Sequence, residues 1–293
     1  MELTSAVEHI RPSVVQIRTM EGKPNTGTVF GTGFLVSDDG VFVTAGHVLM
    51  DAMQFIAECS PNKTLSLYVG FAVENYDTPE KQIRFIYSSG LVDPIAINPL
   101  FDLALLQLRT SVSAMPNVKF PVGESTSRMA AATLVDTRPL EGEAIATSGY
   151  PLDIPAMVTS TGCVGNSWYV EPETDTDRYI GDSTANPGNS GGPVYRLSDG
   201  AVIGVLVAGL TTGLVQGDGV FEDVVQIVPL SVIVPSMYIG DMLKGDCMKI
   251  ERTEDDGFVF TVPPKYTTEV MKDGVSRMRR VETSGQFVFK SAE

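Results

Sequence analysis

Ala185-Asn186-Pro187-Gly188-Asn189-Ser190-Gly191-Gly192-Pro193-Val194 sets a serine among three glycines, with an apolar run from Ala201 to Leu206 soon after. Glycine takes up backbone angles that other residues resist, so such a turn can aim several N–H groups at one point. A nucleophilic serine needs that arrangement, because its attack on a carbonyl creates an oxyanion that donors must meet. Taken alone, the stretch reads equally well as a flexible turn. The rest of the chain decides.

A serine becomes nucleophilic at neutral pH only with a base beside it, and the chain holds two histidines. His9 lies in a polar N-terminal segment and reads as solvated. His47 follows the hairpin formed by Gly27 to Val36, the Asp38-Asp39-Gly40 turn and Val41-Phe42-Val43-Thr44-Ala45, two β-rich arms around a glycine turn. A histidine at a strand end is by itself more often structural than functional. Asp102 sits between Ile95-Ala96-Ile97-Asn98-Pro99-Leu100-Phe101 and Leu103-Ala104-Leu105-Leu106-Gln107-Leu108. A buried carboxylate is costly unless something pairs with it, although a capping aspartate at a strand entry would look the same. Asp93, nine residues earlier, is the runner-up. The order His47, Asp102, Ser190 is one of three known orders for a serine nucleophile, its histidine base and an orienting carboxylate.

Three motifs carry a closer likeness. Thr44-Ala45-Gly46-His47 resembles the Thr-Ala-Ala-His of the trypsin-like clan. Asp102-Leu103-Ala104-Leu105-Leu106 resembles its Asp-Ile-Ala-Leu-Leu, and Gly188-Asn189-Ser190-Gly191-Gly192-Pro193 its Gly-Asp-Ser-Gly-Gly-Pro. With Gly31-Thr32-Gly33-Phe34 upstream and Asn186-Pro187 before the turn, the chain most resembles the HtrA/Deg branch over about residues 6–244. The resemblance implies an all-β fold: two six-stranded antiparallel β-barrels with the active site in the cleft, a short C-terminal helix and an appended tail. It implies Ser190 as nucleophile, His47 as base, Asp102 as orienting group, and the N–H groups of Gly188 and Ser190 as the oxyanion hole. Thr184 and Ala185 match positions lining the primary pocket, and Val225 falls where it would make that pocket shallow. Glu222 and Asp223 leave a basic preference open. Val207-Ala208-Gly209 matches the strand that pairs with a substrate backbone.

Two departures bear on regulation. Val48 stands where secreted trypsins keep a disulfide cysteine. Asn189 replaces the aspartate that pairs with a newly cut N-terminus, so trypsin-style zymogen activation is not expected. A PDZ domain of the HtrA/Deg kind is not expected within this length either.

Composition sets the outer limits. Of 293 residues, 43% are hydrophobic, and 28 glycines and 18 prolines are spread along the chain, which suits short strands joined by tight turns. A formal charge of −15 argues against nucleic acid or an anionic membrane as partner. Cys59, Cys163 and Cys247 are too sparse for a disulfide framework and form no CxxC metal motif, so no metal or cofactor is expected. They fit a reducing compartment. Met1 to His9 lacks the pattern of a signal peptide, and Val224 to Ile239 is broken by Pro229 and Pro235, so a cytoplasmic location is the expectation.

Three units are expected: residues 1–120 as a first barrel, 121–245 as a second with a closing helix within Leu230–Leu243, and 246–293 as an extension. The polar stretch from Arg109 to Arg128, with Pro116 and Pro121, is the linker. Strands are expected at Val14–Ile17, Thr64–Val69, Arg84–Tyr87, Ala130–Val135, Ala144–Gly149, Met157–Val164, Val202–Gly209 and Gly257–Val262, with an exposed loop over Glu74–Lys81. The extension is either a strand pair laid on the body or a segment that binds an activating partner. A serine endopeptidase acting on protein or peptide is the leading reading. A protease-fold binding scaffold and an esterase are the alternatives.

Overall fold

The computed structural model describes residues 1–21, 27–59, 65–75, 84–115, 118–119, 126–151, 154, 156–172, 174–216, 219–253, 258–262, 266–270, 276–280 and 285–289. Helix α1 (Leu3–Ile10) leads into β1 (Val14–Met20), every residue of which is buried. β2 (Gly27–Ser37) and β3 (Val41–Ala45) form the expected hairpin. Its turn is closed by Gly40 N–H to the Ser37 carbonyl at 3.0 Å, with Gly40 at φ +91°. Helix α2 (Gly46–Cys59) follows without a linker. β4 (Ser66–Asn75), β5 (Arg84–Asn98) and β6 (Leu103–Leu108) complete the first set.

These six strands close on themselves. β1 pairs with β2 and β4, β2 with β3, β3 with β6, and β5 with both β4 and β6, all antiparallel. The length of β5 makes closure possible: residues 84–91 pair with β4 and residues 92–98 with β6. Phe34, Leu103 and Leu105 share one face of these strands and Phe42 and Leu106 the other, all at 2% exposure or less. Each such side chain contributes about 1.5–3 kcal/mol when withdrawn from water.

A small ribbon of β7 (Val118–Lys119) and β8 (Thr126–Ser127) comes next. The second barrel is β9 (Ala144–Gly149), β10 (Val158–Glu171), β11 (Thr176–Gly181), β12 (Pro193–Arg196), β13 (Val202–Gln216) and β14 (Gly219–Pro235), closed in the order β10-β11-β14-β13-β12-β9. Ile145, Val164, Val194, Ile203, Leu206 and Ile233 pack inside it. The all-β double barrel implied by the motifs is the fold observed, with the short helix α3 (Met237–Leu243) after it.

Some local expectations differ from the structure. Residues 230–235 finish β14, and the helix begins only after Pro235, whose ring and missing N–H suit a helix approach rather than its interior. Ala130–Val135 forms no strand; it makes one isolated bridge, Leu134 to Val202. Instead it ties the barrels together: Ala132 N–H donates to the Leu35 carbonyl (2.8 Å), and Val202 N–H to the Thr133 carbonyl (2.8 Å). Thr64, residues 76–81 of the expected loop, and Pro116 and Pro121 of the linker lie outside the described residues.

Part of the extension is laid on the first barrel as strands. β15 (Met248–Arg252) pairs with β5 at Ile97 and Ala96, β16 (Phe258–Val262) pairs with β15, and β19 (Gly285–Phe289) pairs with β16. β17 (Tyr266–Val270) and β18 (Ser276–Arg280) form a separate ribbon. Residues 271–275 and 254–257 are outside the described residues. At the other end, α1 lies against the second barrel: the Met1 ammonium donates to the Ser198 carbonyl at 2.9 Å.

Candidate active site

β3 delivers the chain to α2, and His47 occupies the first turn of that helix. Asp102 stands in the turn between β5 and β6, in the left-handed region at φ +54°. Three hydrogen bonds join the two places. Gly46 N–H donates to the Asp102 carbonyl at 2.9 Å, and His47 N–H to Asp102 Oδ1 at 2.7 Å. His47 Nδ1 lies 2.7 Å from Asp102 Oδ2. A carboxylate accepts, so Nδ1 carries the proton and Nε2 keeps its lone pair. Gly46 makes the approach possible, since a Cβ there would stand 2.9 Å from Asp102 Oδ1.

Burial by itself would lower the pKa of His47. The hydrogen bond and negative charge of Asp102, with a smaller contribution from Asp51, outweigh it and hold the value above that of an ordinary histidine. Asp93 is engaged elsewhere: Arg109 grips it with Nε and a terminal nitrogen at 2.7 and 2.6 Å, and Arg252 of β15 stands 3.6 Å away.

The serine turn is pinned on every side. Gly191 N–H donates to the Leu206 carbonyl (2.7 Å), Leu206 N–H to the Gly192 carbonyl (2.9 Å), and Gly192 N–H to the Asn189 carbonyl (2.9 Å). Gly191 is at φ +86°, and a Cβ on it would meet the Thr32 carbonyl at 2.1 Å and Thr44 Oγ1 at 2.3 Å. No other residue fits there. Gly188, at φ +95°, turns its carbonyl toward Thr32. Among the described residues, the N–H groups of Gly188 and Ser190 have no internal acceptor. The Ser190 hydroxyl donates to the Val207 carbonyl at 3.4 Å.

Thr32 carried no assigned role in the sequence, yet it links the two barrels at this turn. Fully buried on β2, it donates its N–H to the Ser190 carbonyl (2.8 Å) and its hydroxyl to the Gly188 carbonyl (2.7 Å). Its Oγ1 accepts from Tyr150 N–H at 3.0 Å, and its carbonyl accepts from the Thr44 hydroxyl at 2.7 Å. Its grip on the carbonyls of residues 188 and 190 brackets the peptide that presents Ser190 N–H. The signal was its place in Gly31-Thr32-Gly33, but only contacts across the barrels give it meaning.

Of the expected pocket residues, Thr184 is half-buried and Ala185 is 8% exposed. Ala185 lies beside β13, because a Cβ on Gly209 would stand 3.1 Å from both its Cβ and its carbonyl oxygen. On the β12 side, β13 is paired only as far as Val205 and Leu206. Val207, Ala208 and Gly209 therefore present a strand edge beside Ser190, with Ala208 exposed. Val207 falls in a bulge against β14, which turns its carbonyl to the serine. Val225 pairs through its backbone with Gly213; its side chain, like those of Glu222 and Asp223, lies outside the described residues. Asn189 is buried at 2% exposure and packs on Gly149.

A double β-barrel with a histidine–aspartate pair on the first barrel, and on the second a serine turn packed against the end of β3, defines a class, the trypsin-like fold. The chain belongs to the trypsin-like peptidase domain family, whose model matches residues 31–205. It is similar to cattle mitochondrial serine protease HTRA2 (28% identical over 221 residues, 72% of this chain and 39% of the relative). It is also similar to zebrafish serine protease HTRA1A (30% over 221 residues, 72% and 38%). The chain thus spans about two fifths of the length of these relatives. Among solved structures it resembles Deg5, with a TM-score of 0.53 at 19% identity over 82% of this chain and 90% of that one. It also resembles an HtrA-type protease, AlgW, with a tripeptide (TM-score 0.50, 16% identity, 83% and 63%).

Proposed function

We propose that this protein is a serine endopeptidase in which Ser190 attacks the scissile carbonyl and His47 takes its proton. His47 then returns that proton to the leaving amine. Asp102 holds the Nδ1–H tautomer and stabilises the imidazolium. The N–H groups of Gly188 and Ser190 receive the oxyanion, which is why they are left without internal acceptors. The observation that carries the reading is the pair of short bonds from His47 to the two carboxylate oxygens of Asp102. Before attack, the Ser190 hydroxyl exchanges the long Val207 bond for His47 Nε2, a tightening common when substrate arrives.

The exposed edge at Val207-Ala208-Gly209 takes an extended substrate as an added strand, with Thr184, Ala185 and Val225 around the residue before the cut. A small or medium aliphatic residue fits there. Three free cysteines support work in a reducing compartment; the role proposed there is a regulatory or quality-control one. An activating partner would act through residues 246–293: β15 pairs with Ile97, five residues before Asp102, so a shift there reaches the aspartate turn.

The test compares cell lysate treated with wild type and with Ser190→Ala by mass spectrometry of newly formed peptide ends. New ends from the wild type alone, flanked by a consistent residue, support the proposal. Identical sets of ends, with both proteins folded, would leave the binding-scaffold reading in its place.

A further inference from the structure

We propose that Arg178, on the second barrel, is a positioning residue that holds the Leu100–Asp102 turn of the first barrel so that both Asp102 oxygens face His47. The inference rests on the His47–Asp102 pair of the proposed endopeptidase, but its test does not require catalysis.

Arg178 lies on β11 opposite Tyr169 and is 4% exposed. A buried guanidinium is expensive, and a plain apolar side chain would pack the same space more cheaply. Burial lowers its pKa, while the charges of Glu171, Asp102, Tyr238 and Asp177 act against that. Among the described residues its hydrogen bonds go to carbonyls. One terminal nitrogen donates to the Asp177 carbonyl on its own strand at 3.1 Å. The other crosses between the barrels to the Leu100 carbonyl at 3.0 Å. The guanidinium also stands 5.8 Å from the centre of the Phe101 ring. That ring is also stacked on Tyr238 of α3, which follows the second barrel, at 3.7 Å and 17°.

Two consecutive residues before Asp102 are therefore gripped by the second barrel, one by its carbonyl and one by its ring. Asp102 itself is a non-glycine residue at φ +54°, a conformation that persists only where the surroundings impose it. Gly46 and His47 hold its far side through its carbonyl and carboxylate. Arg178 and Tyr238 hold its near side. Arginine brings what a neutral residue cannot: a donor long enough to reach Leu100 and a positive charge that acts on the Asp102 carboxylate. Thr32 does the reverse service, reaching from the first barrel to the serine turn of the second.

The experiment titrates His47 by NMR in a His9→Asn background, so that one histidine is observed, and measures fluorophosphonate labelling of Ser190 against pH. In Arg178→Gln the carboxylate disengages. His47 binds its proton about tenfold more weakly, and labelling slows about ten- to a hundredfold, short of the roughly 10⁴-fold that loss of the carboxylate costs. Arg178→Lys, which keeps the charge and one donor but loses the planar fork that bonds two carbonyls, falls between wild type and Arg178→Gln on both. A folded Arg178→Gln protein whose His47 titrates as in wild type overturns the proposal. Should that variant fail to fold, Phe101→Leu, which leaves the buried charge and removes the Tyr238 stack, carries the same titration and the same two outcomes. A shifted titration without any labelling of Ser190 sustains the positioning role while removing the endopeptidase reading.

Discussion

Replacing Thr32 by valine keeps the shape of a buried β-branched side chain and removes only its hydroxyl. Two hydrogen bonds go with it, the one given to the Gly188 carbonyl and the one received from Tyr150 N–H. Each is worth about 1 kcal/mol net, and up to about 3 where the abandoned group is buried, so a loss of about 2–4 kcal/mol in stability is expected. The backbone bond from Thr32 N–H to the Ser190 carbonyl survives, so the turn loosens rather than detaches. Outright removal of an oxyanion donor costs about 10²–10³-fold. Misalignment of one should cost less, about 10–100-fold in the rate of Ser190 phosphonylation. Urea unfolding gives the stability term and a fluorophosphonate time course gives the rate, neither needing a known substrate. Thr32→Ser should recover most of both. A valine variant that loses stability yet is labelled at the wild-type rate would refute the idea that the hydroxyl orients the turn.

Asp102→Asn should slow turnover about 10⁴-fold by favouring the wrong tautomer, whereas Asp93→Asn, which only breaks its ion pairs with Arg109 and Arg252, should leave the rate within about threefold. Equal losses in the two would show that the wrong aspartate had been chosen. Activity requires neutral His47, so kcat/KM should rise with pH along a limb centred above 6.5, the ordinary histidine value. The same raised pKa makes the His47–Asp102 pair stabilising at pH below the unfolded-state value, with that contribution lost as pH climbs through the folded-state value. A rate flat through this range would count against His47 as base. Gly191→Ala forces a Cβ into the Thr32 carbonyl at a positive φ and should cost roughly 3 kcal/mol or more, read as a drop in the urea midpoint. An unchanged midpoint would mean the turn is far more pliant than its contacts indicate.

Much of this architecture is legible in the chain because its signals are local. The hairpin of β2 and β3 declares itself through Gly40, and the strands of the second barrel through Ala144–Gly149 and Val202–Gly209. Helix α2 is hidden, because Gly46-His47-Val48-Leu49 continues the apolar run of β3 with no polar break. Ala130–Val135 has the composition of a strand but spends its hydrogen bonds on two different barrels. His47, Asp102 and Ser190 stand out because each breaks its surroundings: an imidazole after an apolar strand, a carboxylate among leucines, a hydroxyl among glycines. Thr32 and Arg178 break nothing nearby. Their partners, Gly188 and Leu100, lie 156 and 78 residues away in sequence, and only closure of the barrels brings them together.

The central claim is that Ser190 is a nucleophile made reactive by His47. Its most direct test is covalent labelling of the full chain with a fluorophosphonate, followed by peptide mass mapping, in wild type, His47→Ala and Ser190→Ala. The wild type should carry a single adduct on Ser190, with labelling slowed by orders of magnitude in His47→Ala and none in Ser190→Ala. Labelling of Ser190 at the same rate with and without His47, or no adduct on Ser190 at any pH, would contradict the claim.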